Sequence, residues 1–68
     1  MTRKIRDQIL KVRDTGLTNM FDVNGVQVVG SSLGLYELVV YLAERENRKE
    51  YSHFIMTGRT NLVDNEAE

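Results

Sequence analysis

The hydrophobic residues near the start of the chain recur at the spacing of an amphipathic helix. Ile5, Ile9 and Val12 lie three or four positions apart and share one helical face, and most positions between them are charged or polar. Thr2 is a suitable N-cap, because its hydroxyl can accept a hydrogen bond from an amide of the first turn. Gly16 is suited to follow the last turn, because glycine adopts the left-handed conformation that commonly ends helices. The pattern predicts a first helix between these two residues.

A linker over residues 17–21 follows this helix, and residues 21–29 allow two interpretations. Asn24-Gly25 between β-branched residues is a strong signal for a tight hairpin turn. No third strand is evident elsewhere, however, and an isolated hairpin is marginal in water. We therefore favour a second helix capped by Asp22 and ending near Ser31, with a short hairpin around Asn24-Gly25 as the alternative. In the linker before it, we expect three side chains to pack into the core: Leu17, Met20 and Phe21.

The apolar pattern is densest in residues 33–45, where we predict a third helix with Ser31 or Ser32 as its cap. Its core stripe follows the helical spacing and consists of Leu35, Leu38, Val39 and Leu42. Most of the remaining circumference is also apolar and consists of Tyr36, Val40, Tyr41 and Ala43. A helix that is apolar nearly all round cannot be a simple surface helix of so small a monomer. A partner should therefore cover one side of it.

The second and third helices together fit the template of a helix-turn-helix motif. Gly30 takes the small-residue position of its first helix and Gly34 takes the turn. The template expects buried side chains at Val29, Leu33, Leu35, Val40 and Ala43. Any tightly packed helical corner makes the same demands, so the match alone does not indicate DNA binding. The second helix of the motif also lacks the Lys and Arg residues that contact phosphates and guanine edges.

The remainder of the chain predicts a fourth, short helix and a tail. Residues 44–50 are a mixed charge run that we expect to form a solvated turn or a helix end. The last apolar stripe precedes Gly58 and consists of Tyr51, Phe54 and Ile55. Residues 59–68 are polar and acidic and are predicted to be a flexible tail. The expected fold is therefore all-α, a single domain over residues 1–58 with three to four short helices and a helix-turn-helix-like corner.

Size and composition point to association with another protein. A chain of 68 residues buries only about 60% of the surface that its unfolded state exposes. Small domains are commonly reinforced by disulfides, metals or oligomerisation, and this chain has no Cys and a single His. We therefore expect a protein partner or a homodimer, and neither a metal nor another cofactor.

Charge and hydropathy disfavour polyanions and membranes as partners. The formal net charge is −1, which gives no general affinity for nucleic acid. The chain lacks the roughly 20-residue apolar segment of a membrane span and the apolar core of a signal peptide. These features predict a cytoplasmic protein that does not associate with membranes.

No residue pattern in the chain indicates catalysis. Asp14-Thr15-Gly16 repeats a tripeptide of aspartic proteases, but those enzymes bring two copies together in larger β-rich folds. Here the tripeptide coincides with the predicted end of the first helix. His53 has no companion at the spacing of a metal site or a catalytic triad. The sequence therefore predicts a protein that is not an enzyme and has no small-molecule substrate.

Three segments look like a family of short phage and prophage proteins that is known only as a domain of unknown function. They are RDTGLTNMFDV at residues 13–23, GLYELVVY at residues 34–41 and YSHFIMTG at residues 51–58, of which the first is the most specific. The family pattern favours Ala near Gly25, which supports the second helix over the hairpin. The resemblance implies a phage or prophage product made in a bacterial cytoplasm, with no catalytic residues to carry over.

These observations lead to two hypotheses of function. The first is a non-enzymatic module that dimerises or binds another protein, such as a host factor, through the third helix. The residues assigned to that contact are Tyr36, Val39, Val40 and Tyr41, because they exceed what a thin core can cover. The alternative is a small DNA-binding regulator, whose phosphate contacts would come from Lys4, Arg6 and Lys11 on the first helix.

Overall fold

The computed structural model describes residues 1–63, which form an all-α fold. Four helices follow one another along the chain: α1 (Arg3–Thr15), α2 (Val23–Ser32), α3 (Tyr36–Ala43) and α4 (Arg45–Thr57). Asn24 and Gly25 lie in the first turn of α2, so the hairpin alternative is wrong. The last five residues of the predicted acidic tail, 64–68, lie outside the described residues.

The first two helices begin and end as the local sequence predicts. The amide of Ile5 donates to the Thr2 hydroxyl at 3.1 Å, and Gly16 ends α1 in the left-handed conformation at φ 66°. The amide of Gly25 donates to the Asp22 carboxylate at 3.1 Å, so Asp22 caps α2. Both caps are confirmed because each needs only residues within one turn of the helix end.

The third helix is shorter than predicted, and the fourth is longer. Ser31 and Ser32 belong to α2, so neither caps α3, which begins only at Tyr36. A single extended residue, Glu44, separates α3 from α4. The charge run after it is therefore the start of α4 and not a solvated turn. Its side chains are mostly exposed, so they leave no apolar signal, although Arg, Glu and Lys are good helix formers.

The core lies around α3, which packs against each of the other three helices. Leu38 and Leu42 of α3 are fully buried. The other buried hydrophobic residues come from α1, α2 and α4, from the N-terminus and from the corner before α3: Met1, Ile5, Ile9, Val12, Val26, Val29, Leu35, Tyr51 and Phe54. The shortest helix is thus the one that joins the others into one unit.

The side chains that anchor the linker between α1 and α2 to the core differ from those predicted. Leu17 and Phe21 are 71% and 60% exposed, so the expectation that they fill the core is wrong. Met20 does pack against the core, and its carbonyl accepts a 2.5 Å hydrogen bond from the buried Tyr51 hydroxyl. Burial raises the pKa of Tyr51 to about 12, so it donates at any physiological pH. The linker is therefore held by Met20, while Leu17 and Phe21 remain in solvent.

The chain ends of the described region meet beside α4. The Val63 amide donates to the Met1 carbonyl at 2.9 Å, and the Met1 amino group donates to the Asn61 carbonyl at 3.0 Å. These bonds place residues 61–63 of the predicted tail against the N-terminus. None of the helices in residues 1–63 has the length and apolar content needed to cross a membrane.

Candidate protein-interaction surface

The corner between α2 and α3 sets the direction of α3. The amide of Gly34 donates to the Ser31 carbonyl at 3.1 Å, and the amide of Leu35 donates to the Gly30 carbonyl at 2.8 Å. These two bonds form a Schellman motif, in which the residue after the helix adopts the left-handed conformation. Gly34 has φ 77°, which glycine tolerates without strain. The predicted turn glycine therefore stops α2 and allows α3 to begin two residues later.

The first turn of α3 is capped from α1. Leu35 stands at the N-cap position but makes no side-chain capping bond. Instead the carboxamide oxygen of Gln8 accepts from the Leu38 amide at 2.9 Å. Gln8 is buried, and its nitrogen donates to Glu37 at 2.9 Å. The side chain of Gln8 thus accepts from a backbone amide of α3 that has no hydrogen-bond partner within its own helix, and this bond holds α3 against α1.

The only charged side chain of α3 is satisfied within the chain. Glu37 accepts from Gln8 through one carboxylate oxygen, and Lys4 lies 3.2 Å from the other. The hydrogen bond from Gln8, one from the backbone and the nearby Lys4 lower the pKa of Glu37 to about 2. This carboxylate therefore stays ionised and is already paired.

The outer side of α3 carries an exposed apolar ridge formed by Tyr36 and Val40. These residues are one turn apart and are 62% and 66% exposed. Leu38 and Leu42 point to the opposite side and are fully buried. The ridge therefore lies on the side of α3 that faces away from the core.

A groove lies between α2 and α3 next to the ridge. Its volume is about 620 Å³, and it is lined by Asn24, Gln27, Val28, Ser31, Ser32 and Val39. Val28 is 68% exposed. The side-chain carboxamide of Gln27 donates to the backbone carbonyl of Val39 at 3.1 Å. Val39 follows Tyr36 by three positions and so lies between the groove and the ridge. We call the ridge and the α2–α3 groove together the neutral face.

Tyr41 lies on the other flank of α3 and is oriented inward. Its hydroxyl donates to Glu50 at 2.5 Å, and the Met1 amino group lies 2.7 Å from the second oxygen of that carboxylate. Burial, the hydrogen bond to Glu50 and the negative charge of Glu50 together raise the pKa of Tyr41. The ring still lines a shallow hollow of about 410 Å³ with Tyr36, Glu37 and Val40. Tyr41 thus positions α3 against α4 and contributes only part of its ring to the surface.

The four residues assigned to the interface therefore occupy different places. Tyr36 and Val40 form the ridge, Val39 is half-buried in the groove wall, and Tyr41 is half-buried over α4. The helix-turn-helix template was wrong to expect burial of Leu33, Val40 and Ala43, all of which are exposed. It was right for Val29 and Leu35, which are buried.

The α2 side of the groove was missed by the sequence analysis. Val28 was not assigned to any contact, although it is one of the most exposed large apolar residues of the described chain. A signal for it existed, because Val26, Val29 and Gly30 form the buried side of α2 and Val28 falls outside that stripe. Gln8 also carried a signal, since a polar residue there shares a helical face with Ile5 and Ile9.

The cations of the alternative hypothesis all lie on α1 and not on the helix-turn-helix-like corner. Lys4 is paired with Glu37 at 3.2 Å, and Arg6 is paired with Asp7 at 3.0 Å. Lys11 is exposed. Neither α2 nor α3 contains a Lys or Arg residue. The helix in the position of a DNA-recognition helix thus carries one acid and no base.

The residues considered for catalysis are not brought together. Asp14 lies in the last turn of α1, two residues before the C-capping Gly16, so the tripeptide is a helix end. His53 is exposed and lines a small cleft of about 260 Å³ with Glu50, Arg59, Thr60 and Asn61. No group of His, Asp or Glu side chains in residues 1–63 has the arrangement of a metal site.

The fold and surface define a small all-α domain built around one central helix with an exposed apolar outer side. Comparison with protein families assigns this domain: a family described as "Domain of unknown function (DUF5049)" matches residues 1–59, and the chain belongs to that family. Comparisons with curated proteins and with solved structures give no match.

Proposed function

We propose that this protein is a non-enzymatic interaction module of phage or prophage origin, which acts in the bacterial cytoplasm and binds a protein through the neutral face. The observation that carries the proposal is the exposure of Tyr36 and Val40 on the helix that otherwise forms the centre of the core. Solvent-exposed tyrosine and aliphatic residues beside a groove are typical of protein interfaces. The phage origin is supported by the resemblance of residues 13–23, 34–41 and 51–58.

The charge distribution favours a protein over DNA as the partner. DNA binding rests on cations that neutralise phosphates, and α2 and α3 offer none. The nearest candidate, Lys4, is engaged by Glu37. Binding of DNA through Lys4, Arg6 and Lys11 remains the competing proposal, and it predicts a steep dependence on salt.

The test compares two aspartate variants at equally exposed apolar positions. Val40→Asp places a charge on the ridge, whereas Met56→Asp places the same charge on α4 at a residue that is 72% exposed. We expect the wild type and Met56→Asp to bind the same protein, either a second copy or a bacterial protein captured on a tagged chain. Val40→Asp should lose that binding and keep the wild-type circular dichroism spectrum.

Identical binding by all three chains would contradict the proposal. A gel-shift titration with phage DNA at low ionic strength supplies the second arm. A shift that disappears with salt and with alanine at Lys4, Arg6 and Lys11 would favour the DNA-binding regulator instead.

A further inference from the structure

The neutral face holds a ridge and a groove side by side, and we propose that its occupant is a second copy of the same face. The two copies are related by a twofold axis, so the ridge of each lies in the α2–α3 groove of the other. This inference rests on the proposed function and names the partner. In a twofold dimer one surface patch must provide both halves of the contact.

The arrangement along α3 places the two halves side by side on one surface. Tyr36 and Val40 form the ridge, and Val39 on the next helical row already belongs to the groove wall. The axis therefore passes near Val39, between the two halves. The groove is open to solvent and has a volume of about 620 Å³, so the side chains of a partner's ridge can lie along it.

The chemistry of the groove matches that of the ridge. Val28 and Val39 offer apolar contacts to the partner's ridge, while Asn24, Ser31 and Ser32 offer amide and hydroxyl groups. The exposed Tyr36 combines an apolar ring with a hydroxyl that needs a hydrogen-bond partner when it is buried. A ridge with one tyrosine and one valine therefore matches a groove that offers apolar contacts at Val28 and Val39 and polar groups along α2.

Charge also favours a second copy as the occupant. Neither α2 nor α3 carries a cation, and α2 carries no charge at all. Glu37 at the edge of the ridge is paired with Lys4, so two apposed faces bring no uncompensated like charges together. A strongly acidic or basic partner would find no complement on this face, whereas an identical neutral face is compatible with it.

The experiment uses two variants that are each defective and complement one another. Val40→Asp alters the ridge and Val28→Lys alters the groove, at residues that are 66% and 68% exposed. Sedimentation velocity from low micromolar to near-millimolar concentration should show a wild-type dimer of twice the 7.8 kDa chain mass. Each variant alone should raise the dimer dissociation constant by about 30-fold or more, the effect of losing a central contact. Met56→Asp should dimerise as the wild type does.

An equimolar mixture of Val40→Asp and Val28→Lys should form a heterodimer. In it one contact joins the new aspartate to the new lysine, and the other contact keeps both native valines. Recovery of the dimer in the mixture, with neither variant dimerising alone, supports the reciprocal ridge-in-groove geometry. Failure of the mixture to recover, or a wild-type dimer that neither variant weakens, overturns it.

A wild-type chain that stays monomeric at every concentration also overturns the inference. The proposed function survives that result if the wild type captures a bacterial protein that Val40→Asp loses. If the chain is monomeric and the captured proteins do not depend on Val40, the inference and the proposed function fail together.

Discussion

Two regions of this small domain, helix α1 and the corner formed by α2 and α3, use their hydrophobic residues differently. In α1 the apolar residues lie mainly on the core side, and the exposed positions are mostly charged. In the corner formed by α2 and α3, apolar residues lie on both the buried and the exposed sides, and all nine Lys and Arg residues lie elsewhere. Helix α1 therefore follows the ordinary pattern of a solvated helix, whereas the corner has more apolar surface than its own core uses.

The largest expected effect comes from truncating the buried and exposed sides of α3 separately. Leu38→Ala removes a fully buried side chain and should lower the free energy of unfolding by about 2–5 kcal/mol. Val40→Ala should change the free energy of unfolding by less than about 0.5 kcal/mol, because Val40 is largely exposed. Urea unfolding followed by circular dichroism at low protein concentration measures both. A loss at Val40 as large as the loss at Leu38 would place the ridge in the core and remove the distinction.

The second prediction concerns the attachment of the corner to α1. Gln8→Ala leaves the Leu38 amide without its acceptor in a buried position, and we expect a loss of about 1–3 kcal/mol. Gln27→Ala is the matched control, because Gln27 also bonds a backbone group of α3 but lies in the open groove. The control should lose about 1 kcal/mol or less. Equal losses in urea unfolding would mean that the cap from α1 has no special role in holding α3.

The two glycines of the corner should respond to alanine with opposite signs. Gly34 has φ 77°, so Gly34→Ala forces a left-handed alanine and should cost about 1 kcal/mol. Gly30 is helical, and a methyl group there would meet Val39 at 3.6 Å and Leu38 at 3.7 Å, which is ordinary contact. Gly30→Ala should therefore stabilise the domain by about 0.5–1 kcal/mol through helix propensity. Thermal unfolding of both variants decides the matter, and a destabilised Gly30→Ala would show that the corner is packed too tightly for a methyl group.

The smallest expected effect is a dependence of stability on pH that comes from Glu37. Its pKa is about 2 in the folded chain against an ordinary 4.5, so its contribution to stability is present above about pH 4.5 and is lost as the pH falls toward 2. The effect is modest because the carboxylate is exposed to solvent. Urea midpoints of the wild type should fall more steeply across this range than those of Glu37→Gln. Parallel curves for the two chains would mean that Gln8 and Lys4 do not stabilise the ionised form.

Features that depend on one turn of chain could be predicted from the amino-acid sequence alone. The caps of α1 and α2 follow from Thr2, Gly16 and Asp22, whose side chains or backbone act on amides and carbonyls a few residues away. Gly34 likewise identified the turn of the corner, and the stripe of Leu35, Leu38 and Leu42 identified the buried side of α3. The absence of cations from α2 and α3 was also readable directly, and it set the expectation of a protein partner.

Which apolar residues remain exposed and which polar residues are buried depends on how the helices pack, and this could not be predicted from the sequence. Leu17, Phe21 and Val28 resemble core residues by type, yet their neighbours in space leave them in solvent. Gln8 resembles a surface residue by type, yet it is buried because the start of α3 needs an acceptor at that point. The physical reason is that periodicity records the faces of a single helix, whereas burial depends on which other helix lies against each face.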